Sequence, residues 1–425
     1  MDTFKTAPMT RLLNEIQENT TKYLEFFSAQ RLPEPSFENG EGLSSGQGIP
    51  IDIQTARSAA IEAADELRLL LLGPLGLVMS FQADQYLMLA LQYIYRHKLV
   101  QHVFLNRETT FREIAAAARL PPKDVTRFLR LAASRHVFHE ASKGAIVHTA
   151  ASRQLLDNPG LEAWVTIIAD EYWPALARTV DATERWPGSE EPNESGYSLG
   201  HTTKESIFDV IKCSPARQQR FMDVQGFSHQ VFGFGMEHLL WGYDFSNVRV
   251  LVDMGGAHGE VAIALAHKYP TMEIVVQDKP EVIEGLKKCI PAELKHRIKG
   301  MEHDFFTIQP VRSADVYFFR WVFHNWSDKY CVKILQSLVP SLKKGSRVVI
   351  NDLCVPEPGE GILSVARESI EMDIMMKAFN NAQERDGLAW KMLFQMANLG
   401  FKFLGIKIPI RARMAIIEAE WIVGC

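Results

Sequence analysis

The feature that most constrains the fold is a glycine-rich turn between an apolar strand and a helix. The predicted strand at residues 248–254 ends in Asp253 and Met254, and Gly-Gly-Ala-His-Gly follows before a helical segment begins at Val261. Glycine lets the backbone turn sharply and approach a bound molecule, and the first turn of a helix offers unpaired N–H groups. The turn predicts a ligand site at the carboxyl end of a strand.

Further short apolar runs follow this turn and alternate with helical segments. They predict strands at residues 272–277, 314–322 and 347–352. A repeated strand–helix–strand order predicts a parallel sheet with helices on both faces. The expected fold class of residues 241–425 is therefore α/β, with a Rossmann-like parallel sheet.

The chain before residue 241 shows a different, mainly helical pattern. Residues 5–30 predict an amphipathic helix, and residues 32–50 are rich in Pro, Gly, Ser and Glu, as in a linker. Apolar residues then recur at helical spacing from residue 51 to about 95, and after a second loop at 187–197 further helices are predicted from about 204 to 242. We expect an N-terminal helix and linker at 1–50 and an all-helical domain at 51–240.

A winged-helix unit is predicted inside this helical domain. Thr110 and Glu113 have the spacing of a capping box, and Pro122 begins a second helix. Short strands predicted at 136–140 and 145–149 complete the outline. A unit of this kind has two possible uses. It either binds DNA or serves as a packing and dimerisation module.

Charge favours packing and dimerisation over DNA binding. The second helix of the unit is basic, but the whole chain has a net charge of −5, which gives no general attraction for a phosphate backbone. A DNA-binding regulator that senses a small molecule is the weaker alternative. The basic residues are Lys123, Arg127, Arg130 and Arg135.

Composition and motifs also indicate the expected cellular compartment and whether the chain has a membrane span or a metal site. The five cysteines are scattered and never form a C-x-x-C pair, which argues against disulfides and structural zinc. Residues 1–23 do not resemble a signal peptide, and the apolar stretch at 67–81 is too short to span a bilayer. No H-E-x-x-H motif is present. We expect a cytoplasmic protein without a metal, membrane or nucleic-acid partner.

A second signal for a nucleoside ligand follows the glycine turn. The next strand ends in Val-Gln-Asp, with Asp278 roughly 20 residues beyond the glycines, where a carboxylate can accept both hydroxyls of a ribose. These two features alone fit a dinucleotide as well as S-adenosylmethionine (SAM).

Five motifs in order make the resemblance more specific. The sequences V-D-M-G-G-A-H-G, V-V-Q-D-K-P, H-D-F-F, F-R-W-V-F-H-N-W-S-D and V-I-N-D-L-C-V-P-E-P-G occur in this order between residues 252 and 359. In order and spacing they resemble the SAM-dependent O-methyltransferases of the caffeate and fungal natural-product type. The resemblance implies SAM as cofactor, a small-molecule substrate and a homodimer formed through the N-terminal helical domain.

The resemblance also implies roles for individual residues. Asp253, Gly255 and Gly259 would line the methionine end of SAM, and Asp278 would bind its ribose. Arg320 stands where the family usually has a lysine near the cofactor. The residues implied at the adenine are Asp304 and Phe305.

The catalytic base implied by the resemblance is His324, with Asp352 and Glu384 as the acidic residues that flank it. Histidine can accept a proton near neutral pH, and a carboxylate can orient the ring. The resemblance also implies an acceptor pocket, formed by Phe323, Trp326, Met375, Met376 and Asn380. These five could equally be core residues.

Further positions, besides Arg320, depart from the family pattern. Ala257 and His258 replace small residues in the glycine turn, which would bring an imidazole close to the methionine moiety, and Asn325 replaces an aspartate. The favoured function is methyl transfer to a hydroxyl of a phenolic or polyketide-like secondary metabolite. The alternative is a SAM-bound pericyclase of the same fold, which catalyses dehydration and cycloaddition or ene chemistry without methyl transfer.

Overall fold

The computed structural model describes residues 8–38, 49–228, 231, 233–360 and 363–424. The chain divides into two compact units, one of residues 1–170 and 219–227 and the other of residues 171–218 and 228–425. None of the helices within the described ranges is long and apolar enough to cross a bilayer.

The first unit is mainly helical. Its helices are α1 (Pro8–Gln30), α2 (Ile51–Met79), α3 (Gln82–Arg96), α4 (Phe111–Ala118), α5 (Pro122–Ala133), α6 (Ala150–Asp157) and α7 (Pro159–Ile167). Its strands are β1 (Thr109–Thr110), β2 (Phe138–Ser142) and β3 (Ala145–His148), which form an antiparallel sheet in the order β1–β3–β2.

Local sequence explains several boundaries in this unit. The Thr110 hydroxyl accepts from the Glu113 N–H at 3.2 Å, and the Glu113 carboxylate accepts from the Thr110 N–H at 2.7 Å, so the predicted capping box begins α4. Helix α2 kinks at Gly73, which has a φ of 65° and precedes Pro74. Residues 5–7 of the predicted first helix and 39–48 of the predicted linker lie outside the described residues.

The second unit combines helices with a large sheet. Its helices are α8 (Trp173–Ala177), α9 (Thr179–Arg185), α10 (Gly196–Gly200), α11 (Ile207–Lys212), α12 (Pro215–Ser228, of which 219–227 belong to the first unit), α13 (Met236–Gly242), α14 (Glu260–Lys268), α15 (Pro280–Cys289), α16 (Asp328–Leu338), α17 (Leu363–Asn380) and α18 (Gly387–Ala397). Its strands are β4 (Val250–Met254), β5 (Glu273–Asp278), β6 (Ile298–Glu302), β7 (Val316–Arg320), β8 (Arg347–Asp352), β9 (Cys354–Val355), β10 (Arg385–Asp386), β11 (Phe401–Lys407) and β12 (Ala415–Trp421).

The large sheet has the strand order β11–β12–β8–β7–β4–β5–β6. Strands β4 to β8 are parallel, which agrees with the arrangement predicted for four of them, whereas β6 was not predicted as a strand. Strand β12 is antiparallel to both β8 and β11. The expectation of a wholly parallel sheet is therefore corrected to a mixed sheet. The reversal arises because residues 408–414 join β11 directly to β12, with no crossover helix between them.

The predicted domain boundary at residue 240 does not match the division into compact units, because residues 171–218 lie on the other side of it. The sequence assigned them to the N-terminal helical domain, whereas they belong to the second compact unit. Helix α10 packs against α17, and the Ser195 hydroxyl donates to the Phe379 carbonyl at 2.9 Å. These contacts join residues far apart in sequence, so helical periodicity gives no sign of them.

Candidate active site

The glycine turn connects β4 to α14 in a backbone path that suits glycine. Gly255 and Gly259 have φ values of 72° and 77°, in the left-handed region. A Cβ on Gly259 would lie 2.6 Å from the Leu286 Cδ1, and one on Gly255 would lie 3.1 Å from the Val322 Cγ2. Gly259 is the residue directly before α14 and makes no side-chain hydrogen bond to the first helical turn.

Asp253 lies at the end of β4 and is 1% exposed. Its Oδ2 is buried and has no hydrogen-bond partner among the described residues. Burial, together with the negative charge of Asp278, raises the pKa of the Asp253 carboxyl to about 7. A buried carboxyl oxygen without a partner is costly in a folded protein, which is typical of a group that meets a ligand.

Asp278 connects the turns that follow β4 and β5. Its two carboxylate oxygens accept hydrogen bonds from the N–H groups of Ala257 at 3.0 Å and Lys279 at 2.8 Å. Burial raises the pKa of Asp278, although these two hydrogen bonds oppose the rise. The carboxylate is thus fixed beside the glycine turn, at the place predicted for a ribose.

His258 packs beside helix α15. A Cβ on Gly285 of that helix would lie 3.3 Å from the His258 Cε1. The imidazole therefore occupies space that the glycine at position 285 leaves open. This contact shows how the turn accommodates a bulky side chain where the family has small residues.

The two residues predicted at the adenine lie in the turn after β6. The Asp304 Oδ1 accepts from the Phe306 N–H at 2.9 Å, which fixes the turn. Phe305 is half-buried, and its ring lies edge-on to that of Trp326 with centroids 6.1 Å apart. The structure thus brings Phe305 next to a residue predicted for the acceptor pocket.

Arg320 ends β7 and is nearly buried. Its guanidinium donates to the Asn351 side-chain oxygen and, at 2.6 Å, to the Phe234 carbonyl, while its Nε has no partner among the described residues. Burial lowers the pKa of Arg320 to about 10. Arg320 therefore connects the ends of β7 and β8 to the segment before α13.

His324 lies in a short 3₁₀ turn, Phe323–Asn325, directly after β7. Its Nδ1 is 2.9 Å from the Oε1 of Glu384, and both side chains are buried. The second oxygen of Glu384, Oε2, is also buried and lacks a hydrogen-bond partner among the described residues. The structure therefore joins the predicted base and one predicted acidic partner through the imidazole ring.

Asp352, at the end of β8, contacts the backbone of this turn. Its Oδ2 accepts from the N–H groups of Phe323 at 3.0 Å and His324 at 3.3 Å. Burial raises the pKa of Asp352 to about 6, with His324 opposing the rise and Glu384 adding to it. Of the two predicted acidic partners, Glu384 orients the ring and Asp352 holds the turn.

The protonation of His324 is set by opposing effects. Burial lowers the pKa of the imidazole, but the charge and hydrogen bond of Glu384, together with the charge of Asp352, produce a net rise. No hydrogen bond to the other ring nitrogen, Nε2, is formed within the described ranges. Nε2 is therefore the ring atom available to accept a proton.

The residues predicted for the acceptor pocket separate into two groups. Phe323 is 0% exposed and packs in the core between Phe319 and Trp390, so its side chain offers no accessible surface for a substrate. The structure corrects Phe323 to a core residue. Met376 is also buried and Met375 is half-buried, both on α17.

The other two predicted pocket residues have partners near the histidine turn. The Asn380 Nδ2 donates to the Asn325 carbonyl at 2.8 Å, and the Asn380 Oδ1 is buried without a partner among the described residues. Trp326 is half-buried in an aromatic cluster. The cluster consists of Trp326, Phe208, Phe305, Phe306 and Tyr330.

Trp321 and Arg385 were missed by sequence reasoning. Trp321 has a φ of 55°, its ring centroid is 4.8 Å from that of His324, and its buried indole N–H has no partner within the described ranges. Arg385 is buried directly after Glu384 and donates to the carbonyls of Phe323 and Trp326. Both residues adjoin predicted site residues in sequence, and that adjacency was the available signal.

Comparison with known proteins gives the family. Residues 189–402 match the model of the O-methyltransferase domain. The chain is 34% identical over 420 residues to the grayanic acid biosynthesis cluster O-methyltransferase of Cladonia grayi, covering 98% of this chain and 88% of that protein. It is 35% identical over 383 residues to the chlorophenol O-methyltransferase of Trichoderma longibrachiatum, covering 88% of this chain and 82% of that protein.

Solved structures share the fold. OxaC is similar with a TM-score of 0.78 and 20% identity, over 97% of this chain and 98% of that chain. A pericyclic reaction enzyme is similar with a TM-score of 0.71 and 23% identity, over 89% of this chain and 96% of that chain. Together, the matched domain and the relatives over nearly the full chain show that this protein belongs to the SAM-dependent O-methyltransferase family.

Proposed function

We propose that this enzyme methylates a hydroxyl of a phenolic or polyketide-like secondary metabolite, with His324 as the general base. The observation that carries the proposal is the buried hydrogen bond of 2.9 Å between the His324 Nδ1 and the Glu384 Oε1. A hydroxyl becomes a good nucleophile when its proton is removed, and histidine is suited to remove it near neutral pH.

The residues around the glycine turn fit the adenosine and methionine parts of SAM. Asp253 has a buried oxygen without a partner among the described residues. Gly255 and Gly259 have positive φ values, and a Cβ at either position would press against Val322 or Leu286, so the tight turn requires glycine there. Asp278 would bind the ribose, and Phe305 beside Asp304 would flank the adenine. Arg320, which holds the ends of β7 and β8 together, would support this edge of the sheet.

SAM, when bound, supplies an electrophilic methyl group. The protein has to supply the deprotonated acceptor and hold it in place. His324 accepts the hydroxyl proton at Nε2, while its Nδ1–H donates to Glu384. The negative charge of Glu384 stabilises the imidazolium that forms, and Asp352 fixes the turn through the N–H groups of Phe323 and His324.

An aromatic acceptor suits the side chains near this base. Trp326 belongs to a cluster of aromatic rings, and Asn380 has an acceptor oxygen without a partner among the described residues. Met375 is half-buried and Met376 is buried, and a thioether can adapt to the shape of a neighbouring ring. The relative from Trichoderma longibrachiatum, by its name, methylates chlorophenol. We therefore assign Trp326, Met375, Met376 and Asn380 to the proposed acceptor pocket.

The alternative is a pericyclase that binds SAM without transferring its methyl group. A solved pericyclic reaction enzyme shares the fold, but at 23% identity this likeness concerns the fold alone. A base held by Glu384 and Asp352 suits methyl transfer, because the acceptor hydroxyl must lose its proton in that reaction. We therefore prefer methyl transfer.

We also propose a homodimer that forms through the N-terminal unit. Helix α2 exposes a run of large apolar side chains among the described residues, including Leu71, Leu75 and Val78 at 66%, 74% and 69% exposure. Apolar surface of this kind is typical of a protein contact. We infer that α4, α5 and the sheet of β1 to β3 form the winged-helix core of this dimerisation domain.

The test is to incubate the purified protein with methyl-labelled SAM and a panel of phenols and hydroxylated polyketides. S-adenosylhomocysteine and a product heavier by one methyl group are expected together. A dehydrated or isomerised product with SAM unconsumed would instead establish the pericyclase. Mass spectrometry of both cofactor and product distinguishes the two outcomes in one reaction.

A further inference from the structure

Arg385 contacts the backbone on both sides of the proposed base. Its side chain is 0% exposed. Its Nη1 donates to the Phe323 carbonyl at 3.2 Å and its Nη2 donates to the Trp326 carbonyl at 2.9 Å. His324 lies between these two residues in the chain, so a single planar guanidinium spans the turn that carries the imidazole.

The guanidinium is itself held by several groups. Its Nε and Nη2 lie 2.9 Å and 2.8 Å from the Asp328 Oδ1, and its Nη2 is 3.3 Å from the Cys331 Sγ. The backbone of Arg385 pairs in β10 with Cys354 in β9, two residues beyond Asp352. The position of this side chain is therefore fixed from α16, from β9 and from its own strand.

Glu384 and Arg385 act on the same histidine through adjacent residues. Glu384 accepts from the imidazole, and its own N–H donates to the Asp373 Oδ1 at 2.8 Å on α17. Arg385 holds the carbonyls of the turn. The dipeptide thus fixes both the ring and the backbone of His324.

Charge gives Arg385 a second effect. The groups that face the imidazole and its partners are the carboxyls of Asp352, Glu384, Asp373 and Asp328, the Cys331 thiol and the Arg385 guanidinium. The positive charge of Arg385 lowers the pKa of His324 and of Asp352, opposite to the effect of Glu384. It thereby favours the neutral imidazole that a base requires.

On the basis of the proposed function, in which His324 is the base, we propose that Arg385 is a positioning residue for methyl transfer. Its guanidinium holds the carbonyls on both sides of His324, and its charge offsets the buried carboxylates beside the imidazole. The group acts through His324 and needs no contact with the acceptor.

The experiment compares Arg385→Lys and Arg385→Gln in the full chain. Steady-state methyl transfer is measured across pH, with kcat separated from the KM of SAM and of the acceptor. Arg385→Gln is expected to lower kcat about 10-fold or more through misplacement of the base, and to move the acid limb of the pH profile to higher pH. Arg385→Lys keeps the charge but cannot reach both carbonyls, so we expect a lowered kcat with the acid limb of the wild type.

A matched control is Arg347→Gln, which removes an arginine–carboxylate pair at the opposite end of β8. Arg347 is 2.7 Å from Glu418 and contacts no residue of the proposed site. We expect it to keep the wild-type kcat and pH profile. If both variants lose thermal stability but only Arg385→Gln loses kcat, the loss of kcat does not result from lower stability.

Two results would overturn the proposal, namely a wild-type kcat in Arg385→Lys or an unmoved acid limb in Arg385→Gln. If Arg385→Gln does not fold, the kcat of Arg385→Lys decides alone. His324→Ala, measured in parallel, tests the proposed function separately from the role of Arg385. An active His324→Ala enzyme contradicts the proposed function, whereas an inactive one with unchanged Arg385 variants contradicts only the role of Arg385.

Discussion

The Nδ1 of His324 lies 2.9 Å from the Oε1 of Glu384, with both side chains buried at the carboxyl-end edge of the sheet. An ionised carboxylate can only accept a hydrogen bond, so the proton of a neutral imidazole in this pair lies on Nδ1. The lone pair is then on Nε2, which no described residue bonds. This pair defines the direction from which an acceptor hydroxyl would approach.

Replacing Glu384 should shift the pH dependence of methyl transfer. The charge of Glu384 opposes burial and contributes to a His324 pKa above its ordinary value of 6.5. The base works when neutral, so wild-type activity should fall as the pH drops through this raised pKa. In Glu384→Gln the charge is absent and burial lowers the pKa, so the acid limb should move to lower pH.

The same variant should also lower kcat on the pH plateau by about 10-fold or more, because the imidazolium loses its counter-charge. A profile of kcat against pH for wild type and variant measures both effects. An acid limb that stays in place, or moves to higher pH, would contradict the assigned role of Glu384. Glu420→Gln makes the same substitution on β12, away from the histidine, and serves as the control.

Replacing Asp278 should weaken SAM binding. Its carboxylate is fixed by the N–H groups of Ala257 and Lys279 at the place proposed for the ribose. Asp278→Ala removes a charged hydrogen-bond acceptor, which corresponds to about 1.5 kcal/mol or more, or roughly a tenfold rise in Kd. Calorimetric titration with SAM measures the change. Glu273→Ala, at the exposed amino end of the same strand, should leave the Kd unchanged, and an unchanged Kd in Asp278→Ala would place the ribose elsewhere.

Replacing Gly259 should affect both stability and SAM binding. Gly259 and Gly345 share a positive φ, of 77° and 87°, so alanine at either position carries a similar backbone cost of about 1 kcal/mol. A Cβ at Gly345 meets nothing within 4 Å, whereas one at Gly259 lies 2.6 Å from Leu286. We expect both variants to lower the Tm, Gly259→Ala more so, and only Gly259→Ala to weaken SAM binding. Equal SAM affinity in the two variants would count against the glycine turn as the cofactor site.

The parts of the fold that depend on local sequence could be predicted. The glycine turn, the strand ending in Asp278 and the capping box at Thr110 arise from residues close together in the chain, and the structure has each of them. The reversal of β12 could not be predicted from alternation of strands and helices. It depends on which strand pairs with β8, and pairing of distant strands leaves little trace in a single sequence.

The candidate site, like the fold, could be predicted from the sequence only in part. The family resemblance brought His324, Asp352 and Glu384 together as an expectation, but it did not distinguish the acid that orients the ring from the one that holds the backbone. Phe323 adjoins the histidine in sequence, yet its side chain turns into the core. The contacts of Arg385 with carbonyls before and after His324 depend on tertiary packing.

The most direct test of the account is the rate of methyl transfer by His324→Ala to an acceptor that the wild type methylates. SAM binding is measured on the same protein, and His296→Ala, an exposed histidine, is the control. We expect His324→Ala to lose about 10²-fold or more in kcat with an unchanged Kd for SAM, and the control to keep the wild-type rate. A His324→Ala rate within a few-fold of wild type would contradict the assignment of His324 as the base.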